Sequence, residues 1–186
     1  MSIKKTIIFI IIVTASAFSQ VTVSNVFVKA GEVRNYQENG NNKYAFSLEA
    51  GIGGGLLENT IYWDAGFSYW DDGINSSNNI PDSKSISNTC YIVGFNIGYR
   101  LINLFDSAVS VSANAGVVYN IKNNSDALSG DKINTSYYFQ PRVGLELNYR
   151  LNNGLFFTGN IGSFIGVSRE NPGREVFAAG AGYYFN

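Results

Sequence analysis

The sequence contains no histidine and a single cysteine, Cys90, among 186 residues. Without histidine there is no Ser-His or Cys-His nucleophile pair, no imidazole general base and none of the commonest zinc ligand. One cysteine permits neither an internal disulfide nor a cysteine-built metal cluster. Charge is scarce as well. Asp, Glu, Lys and Arg make up 15% of the chain, where an ordinary soluble domain carries about 25%. The 13 basic and 14 acidic residues gather into no block of one sign, so nucleic-acid binding by phosphate neutralisation has nothing to rest on. Beyond the N-terminal segment no apolar run approaches the length of a transmembrane helix. What the chain does have is glycine and aromatics: 20 Gly, 12 Tyr and 13 Phe, at a mean hydropathy of −0.01. Low charge without high hydropathy means apolar residues dispersed by alternation rather than collected into runs.

Residues 1–19 read as a secretory signal peptide. Lys4 and Lys5 precede the apolar run Ile7–Val13, and a small-residue tail follows, with Ala17 and Ser19 at −3 and −1 of a cleavage before Gln20. The run is shorter than about 30 Å of hydrocarbon requires, and no cysteine follows it to carry a lipid. Residues 20–186 then form one exported domain.

Downstream of residue 43 the apolar period is two, which specifies strands. In Tyr137–Arg150, residues Tyr137, Phe139, Pro141, Val143, Leu145, Leu147 and Tyr149 share one face. Tyr138, Gln140, Arg142, Gly144, Glu146, Asn148 and Arg150 share the other. The split recurs in Tyr91–Leu101, in Tyr44–Ile52, in Ile61–Tyr69, in Val109–Tyr119 and in Phe177–Phe185, and more weakly in Leu155–Val167. No charge falls on the apolar face of any of these segments. The opposite face is dominated by Gly, Ser and Asn, not by the Lys and Glu of a water-facing sheet, and its few charges come in both signs: Glu49, Asp64 and Glu146 with Arg100 and Arg142. Small residues suit the interior of a narrow barrel, and ions enclosed there must pair. These five residues are therefore expected to form a lumenal charge network, with the apolar face turned to lipid.

Tyrosines add an independent sign. Tyr44, Tyr69, Tyr91, Tyr119 and Tyr137 fall at one rim, and Tyr99, Tyr149 and Tyr183 with Phe185 at the other, flanking an aliphatic band, as in the aromatic girdles of an outer-membrane barrel. Links also alternate in length. Asn35–Lys43, Asp71–Ser87, Ile121–Ser136 and Ser168–Arg174 read as longer polar links, and Gly54–Asn59, Ile102–Asp106 and Leu151–Asn153 as short turns. The count reaches eight with a first strand inside Gln20–Arg34, where Val26/Val28/Ala30 oppose Phe27/Lys29/Gly31. Glu32 and Arg34 break that phase, leaving a bulge or a different start both open. The expected fold is all-β: an eight-stranded antiparallel up-and-down transmembrane β-barrel preceded by a cleaved signal peptide.

In this architecture the chain resembles the small outer-membrane β-barrel proteins of Gram-negative bacteria, the OmpA/OmpX-like, porin-like eight-stranded group. The C-terminus Gly180-Ala-Gly-Tyr183-Tyr-Phe185 resembles their assembly signal, with Asn186 and Ala178 as departures from it. The resemblance implies the outer membrane as location, its lipid as surroundings, and the barrel-assembly machinery as partner during biogenesis, engaged through Gly180, Tyr183 and Phe185.

Motifs for chemistry are weak. Gly51-Ile-Gly-Gly-Gly55 lacks the Lys-Ser/Thr of a phosphate loop and reads as a strand end entering a turn. Asp71, Asp72 and Asp82 have no calcium-loop spacing. No catalytic residue, metal ligand or cofactor is assigned. The expected function is a non-enzymatic structural or surface-interaction role through outer loops, toward an extracellular partner the sequence does not name. The alternatives are a narrow channel lined by the five charges, and a soluble periplasmic ligand carrier with its apolar face inside.

Overall fold

A computed structural model describes residues 23–35, 43–57, 60–75, 86–105, 108–126, 129–168 and 173–185. The signal-peptide reading of residues 1–19 lies outside these. Eight strands follow in order: β1 (Asn25–Asn35), β2 (Lys43–Leu57), β3 (Ile61–Asn75), β4 (Ile86–Leu104), β5 (Val109–Asp126), β6 (Lys132–Arg150), β7 (Leu155–Phe164) and β8 (Arg174–Tyr184). Each pairs antiparallel with its sequence neighbours, and β8 returns to β1, so the sheet closes as an up-and-down barrel with no edge along its closed part.

Alternation dictates this result. A strand turns successive side chains to opposite faces, and in a closed sheet those faces are inside and outside. Along β6 Val143, Leu145, Leu147 and Tyr149 are exposed, while Gln140, Arg142 and Glu146 are buried. In β4 Val93, Phe95, Ile97 and Tyr99 are exposed against buried Cys90, Ile92 and Asn96. An exterior this apolar has to be covered by something other than water, and hydrocarbon is the solvent it fits.

Strand β1 keeps one phase throughout, with no bulge against either neighbour. Phe27, Lys29 and Val33 point inward and are buried. Glu32 and Arg34 continue the outward row instead of breaking it. Arg34 Nη1 stands 3.9 Å from Glu175 Oε2, and its guanidinium lies over the Tyr44 ring at 5.7 Å, so the two charges belong to the rim.

Links at the termini end are short, as expected: residues 58–60, 105–108 and 151–154. At the far end the sequence reading needs correction. The segment read as a long link, Ile121–Ser136, is mostly strand, leaving only residues 127–131 between β5 and β6. Its polar residues pair across the ladder: Thr135 Oγ1 donates to Asn123 Oδ1 at 2.7 Å, and the Asn124 amide donates to Asn134 Oδ1. Likewise β3 and β4 extend into Asp71–Ser87, Gly51–Gly55 lies within β2, and Arg174 opens β8. Polar composition marks where water begins, not where the strand stops. The wall is consequently uneven. β4 and β6 each have 19 residues and β5 has 18, whereas β7 has 10 and β1 and β8 have 11.

At the seam between β1 and β8 the backbones come close enough to require glycine. A Cβ on Gly180 would overlap the Val28 carbonyl oxygen, and one on Gly31 would overlap that of Phe177.

Candidate functional site

The interior is a filled lumen arranged in three levels. At mid-height lie the ions. Lys29 Nζ on β1 donates to Glu146 Oε2 on β6 at 2.6 Å, with both side chains buried. Arg142 Nη1 reaches Glu49 Oε1 across the barrel at 3.6 Å, again with both buried. Neutral amides meet part of the remaining capacity of these groups, while the buried Arg142 Nε has no hydrogen-bond partner. Asn148 donates to Glu146 Oε1 at 2.8 Å, and Asn96 donates to Asp64 Oδ1 at 2.7 Å. Asn160, oriented with its oxygen toward Arg142, accepts from Nη2 at 2.8 Å and donates to the Ala178 carbonyl at 3.2 Å. Opposite charges brought in from facing strands, with amides around them, meet the conditions under which buried ions are tolerated.

The structure thus brings four of the five sequence-selected charges, Glu49, Asp64, Arg142 and Glu146, to one level. Arg100 is half-buried and lines, with Lys29, Asp64, Glu146, Tyr62 and Tyr184, the cavity on the termini side of these ions. The missing member of the network is Lys29. Its position opposite Val28 and Ala30 was the available signal, obscured because the phase of the first strand was undecided.

Above the ions is an apolar level that the sequence reading missed, having taken the inner face as small and ionic. Val33, Ala45, Trp70, Cys90, Ile92, Val118, Phe164 and Val176 form one buried cluster. Trp70 is its centre, edge-on to Phe164 at 5.5 Å and covered by the Arg174 guanidinium at 4.8 Å. Arg142 lies over the other ring, Phe164, at 5.5 Å, joining this level to the ions below. Below them Phe27, Phe156 and Tyr184 narrow the termini end, with Phe156 and Tyr184 4.7 Å apart.

Little space remains. The cavity among Asn25, Lys29, Tyr62, Arg100, Glu146 and Tyr184 measures about 40 Å³. The one between the ionic and apolar levels measures about 10 Å³. A cavity needs about 10–15 Å³ to admit one water, so the first admits water and the second lies at that limit. Among the described residues no cluster of His, Cys, Asp or Glu could hold a metal ion.

Outside, Tyr44, Tyr91, Tyr99, Tyr137, Tyr149 and Tyr183 are exposed, and Tyr69 and Tyr119 are half-buried on the same face. Upper-rim rings touch across strands: Tyr69 with Tyr91 at 5.5 Å and Tyr119 with Tyr137 at 6.4 Å. This ring lies inside β3–β6, not at their ends, so four strands rise past it as a sheet. Gly180 sits at the seam, and Tyr183 and Phe185 pack at 6.0 Å near the C-terminus.

No protein-family model matches the chain, and no curated protein matches it by sequence. Solved structures do. Neisserial surface protein A is similar over 87% of this chain and 96% of its own, at 15% identity and a TM-score of 0.65. The N-terminal β-barrel domain of Pseudomonas aeruginosa OprF is similar over 88% and 98%, at 12% identity and 0.56. Ail, the attachment invasion locus protein of Yersinia pestis, is similar over 88% and 100%, at 14% identity and 0.54. Such identities speak to the fold: the chain has the eight-stranded barrel of small outer-membrane proteins, the architecture its OmpA/OmpX-like resemblance implied.

Proposed function

We propose that the protein is a non-enzymatic, integral barrel of the bacterial outer membrane whose work is done outside it, by the sheet and links that stand above the upper aromatic ring. The observation that carries this reading is the closed lumen: two buried ion pairs and a Trp-centred apolar level fill the bore. Eight strands leave an interior just wide enough for side chains, and here side chains occupy it. A solute would have to separate Lys29 from Glu146 and displace Trp70. What remains for contact is the far end. Lipid surrounds the apolar wall, and Gly180, Tyr183 and Phe185 serve the assembly machinery during insertion. With histidine absent from the sequence, the histidine-based hydrolytic chemistry of a membrane enzyme has no base.

The test is single-channel recording of the purified protein in planar bilayers. Flat current at ordinary voltages is expected. Stable, large conductance steps would overturn the closed-anchor reading in favour of a channel.

A further inference from the structure

We propose that Arg174 and Trp70 form an oxyanion site at the outer mouth of the lumen, built for a phosphate-type group. The proposal rests on the outward-facing role given above for the side from which the ligand comes, and adds a ligand chemistry to it.

Arg174 opens β8 where the wall is low: β7 ends beside it at Phe164, and β1 at Asn35. Its side chain turns inward and the residue is 3% exposed. A guanidinium held out of water needs a counter-charge and acceptors for its N–H groups. Among the described residues it has neither. The buried acids Glu49, Asp64 and Glu146 lie below the apolar level, where Lys29, Arg142 and Arg100 face them. Glu175, next in sequence, points outward and pairs with Arg34 at 3.9 Å. Both Nε and Nη1 of Arg174 are buried without a hydrogen-bond partner. Arg142 also leaves Nε unmet, but its charge is answered by Glu49 at 3.6 Å. The charge of Arg174 is answered only by the Trp70 ring, 4.8 Å away, a contact that offsets part of the lost hydration and offers no acceptor.

Trp70 repeats the deficit. Its indole Nε1 is buried and has no acceptor, and the ring is held by Phe164, edge-on at 5.5 Å. Donors on a cation and on the ring it covers, with nothing to receive them, specify the missing partner. It is an anion that accepts at two levels, one set by the guanidinium and one by the indole. A carboxylate presents its oxygens in a single plane, whereas a tetrahedral phosphate presents them in several directions and can bridge the two. Guanidinium also matches phosphate in charge and donor geometry. Lys122, half-buried in the inward row of β5 with Val118 and Asn120, adds positive charge to the same mouth. Exclusion from water strengthens each of these attractions. The group reaches Arg174 either as free phosphate or on the headgroup of an outer-leaflet lipid, over the low wall at β7 and β8.

The test is NMR of the purified protein in dodecyl maltoside micelles, which contain no phosphate. The side-chain N–H signals of Arg174 and Trp70 are followed as inorganic phosphate is added at constant ionic strength. Saturable shifts of Arg174 Nε–H and Trp70 Nε1–H that chloride does not produce are expected. Arg174→Met abolishes the Trp70 response. Arg174→Lys raises the half-saturating phosphate concentration about tenfold or more, the worth of one charge-assisted hydrogen bond. Heat-modifiable migration verifies that each variant folds. Shifts with inorganic phosphate assign a free ion, and shifts produced only by a short-chain phosphatidylglycerol, not by the matching diacylglycerol, assign a lipid headgroup. No saturable shift with either probe, or a Trp70 response that survives Arg174→Met, would overturn the proposal. Arg174 N–H groups already protected from exchange in phosphate-free micelles would overturn it too, because an acid of the chain itself then fills the site. None of these results bears on the closed lumen, which conductance tests separately.

Discussion

Replacing Lys29 by methionine isolates the energetics of the sealed lumen. Methionine retains most of the aliphatic stem, one atom shorter, and removes the charge. Glu146, buried and 2.6 Å from the lost ammonium, is left with the Asn148 amide at 2.8 Å as its close donor. Breaking one side of a buried pair costs about 3–5 kcal/mol, because the orphaned ion remains out of water. Removing both charges has a different effect. In Lys29→Met/Glu146→Leu neither ion has to be desolvated, and the double variant is expected within about 1–2 kcal/mol of the parent or above it. The assay is reversible urea unfolding in lipid vesicles, followed by tryptophan emission and gel migration, with the cycle completed by Glu146→Leu alone. A loss below about 1 kcal/mol for Lys29→Met, typical of a solvated pair, would mean that water reaches Glu146 and that the bore is not sealed.

Other substitutions probe the remaining levels. Leu145→Arg places a guanidinium on the exposed mid-height face and should cost about 2–4 kcal/mol in the same vesicle assay, whereas a null effect would mean the face is not in hydrocarbon. Trp70→Ala empties the centre of the apolar level, for a loss of about 3–5 kcal/mol, yet planar-bilayer current should stay flat because the ion pairs below still close the bore. Gly180→Val should block folding, since its Cβ meets the Val28 carbonyl. Gly159→Ala, with open space around the new methyl group, should migrate and unfold like the parent.

The parts of this structure legible in sequence are those fixed by the two-residue period. Val143, Leu145 and Leu147 against Arg142 and Glu146 set inside and outside, and the tyrosines picked out by the same period fall on the outer face. The apolar inner level was hidden for the same reason. A Trp70, Ile92 or Phe164 on the inward phase looks like noise in an alternation count, because only closure of the sheet brings these three strands together. Strand ends were misplaced wherever water replaced lipid beyond the tyrosine ring. There Asn123, Asn124, Asn134 and Thr135 resemble loop residues although they pair across a ladder. Arg174 was lost with its link, and Lys29 with the undecided first strand.

The central claim concerns which way the side chains face, and single-cysteine labelling in native membranes measures it directly. The parent Cys90 is buried, and Cys90→Ser removes its background. Cysteines at Ala115 and Leu145 should react with a maleimide that partitions into the acyl region, while cysteines at Ser110 and Ser112 stay silent in folded protein and react after unfolding. Labelling at Ser110 and Ser112 with silence at Ala115 and Leu145 would contradict the account.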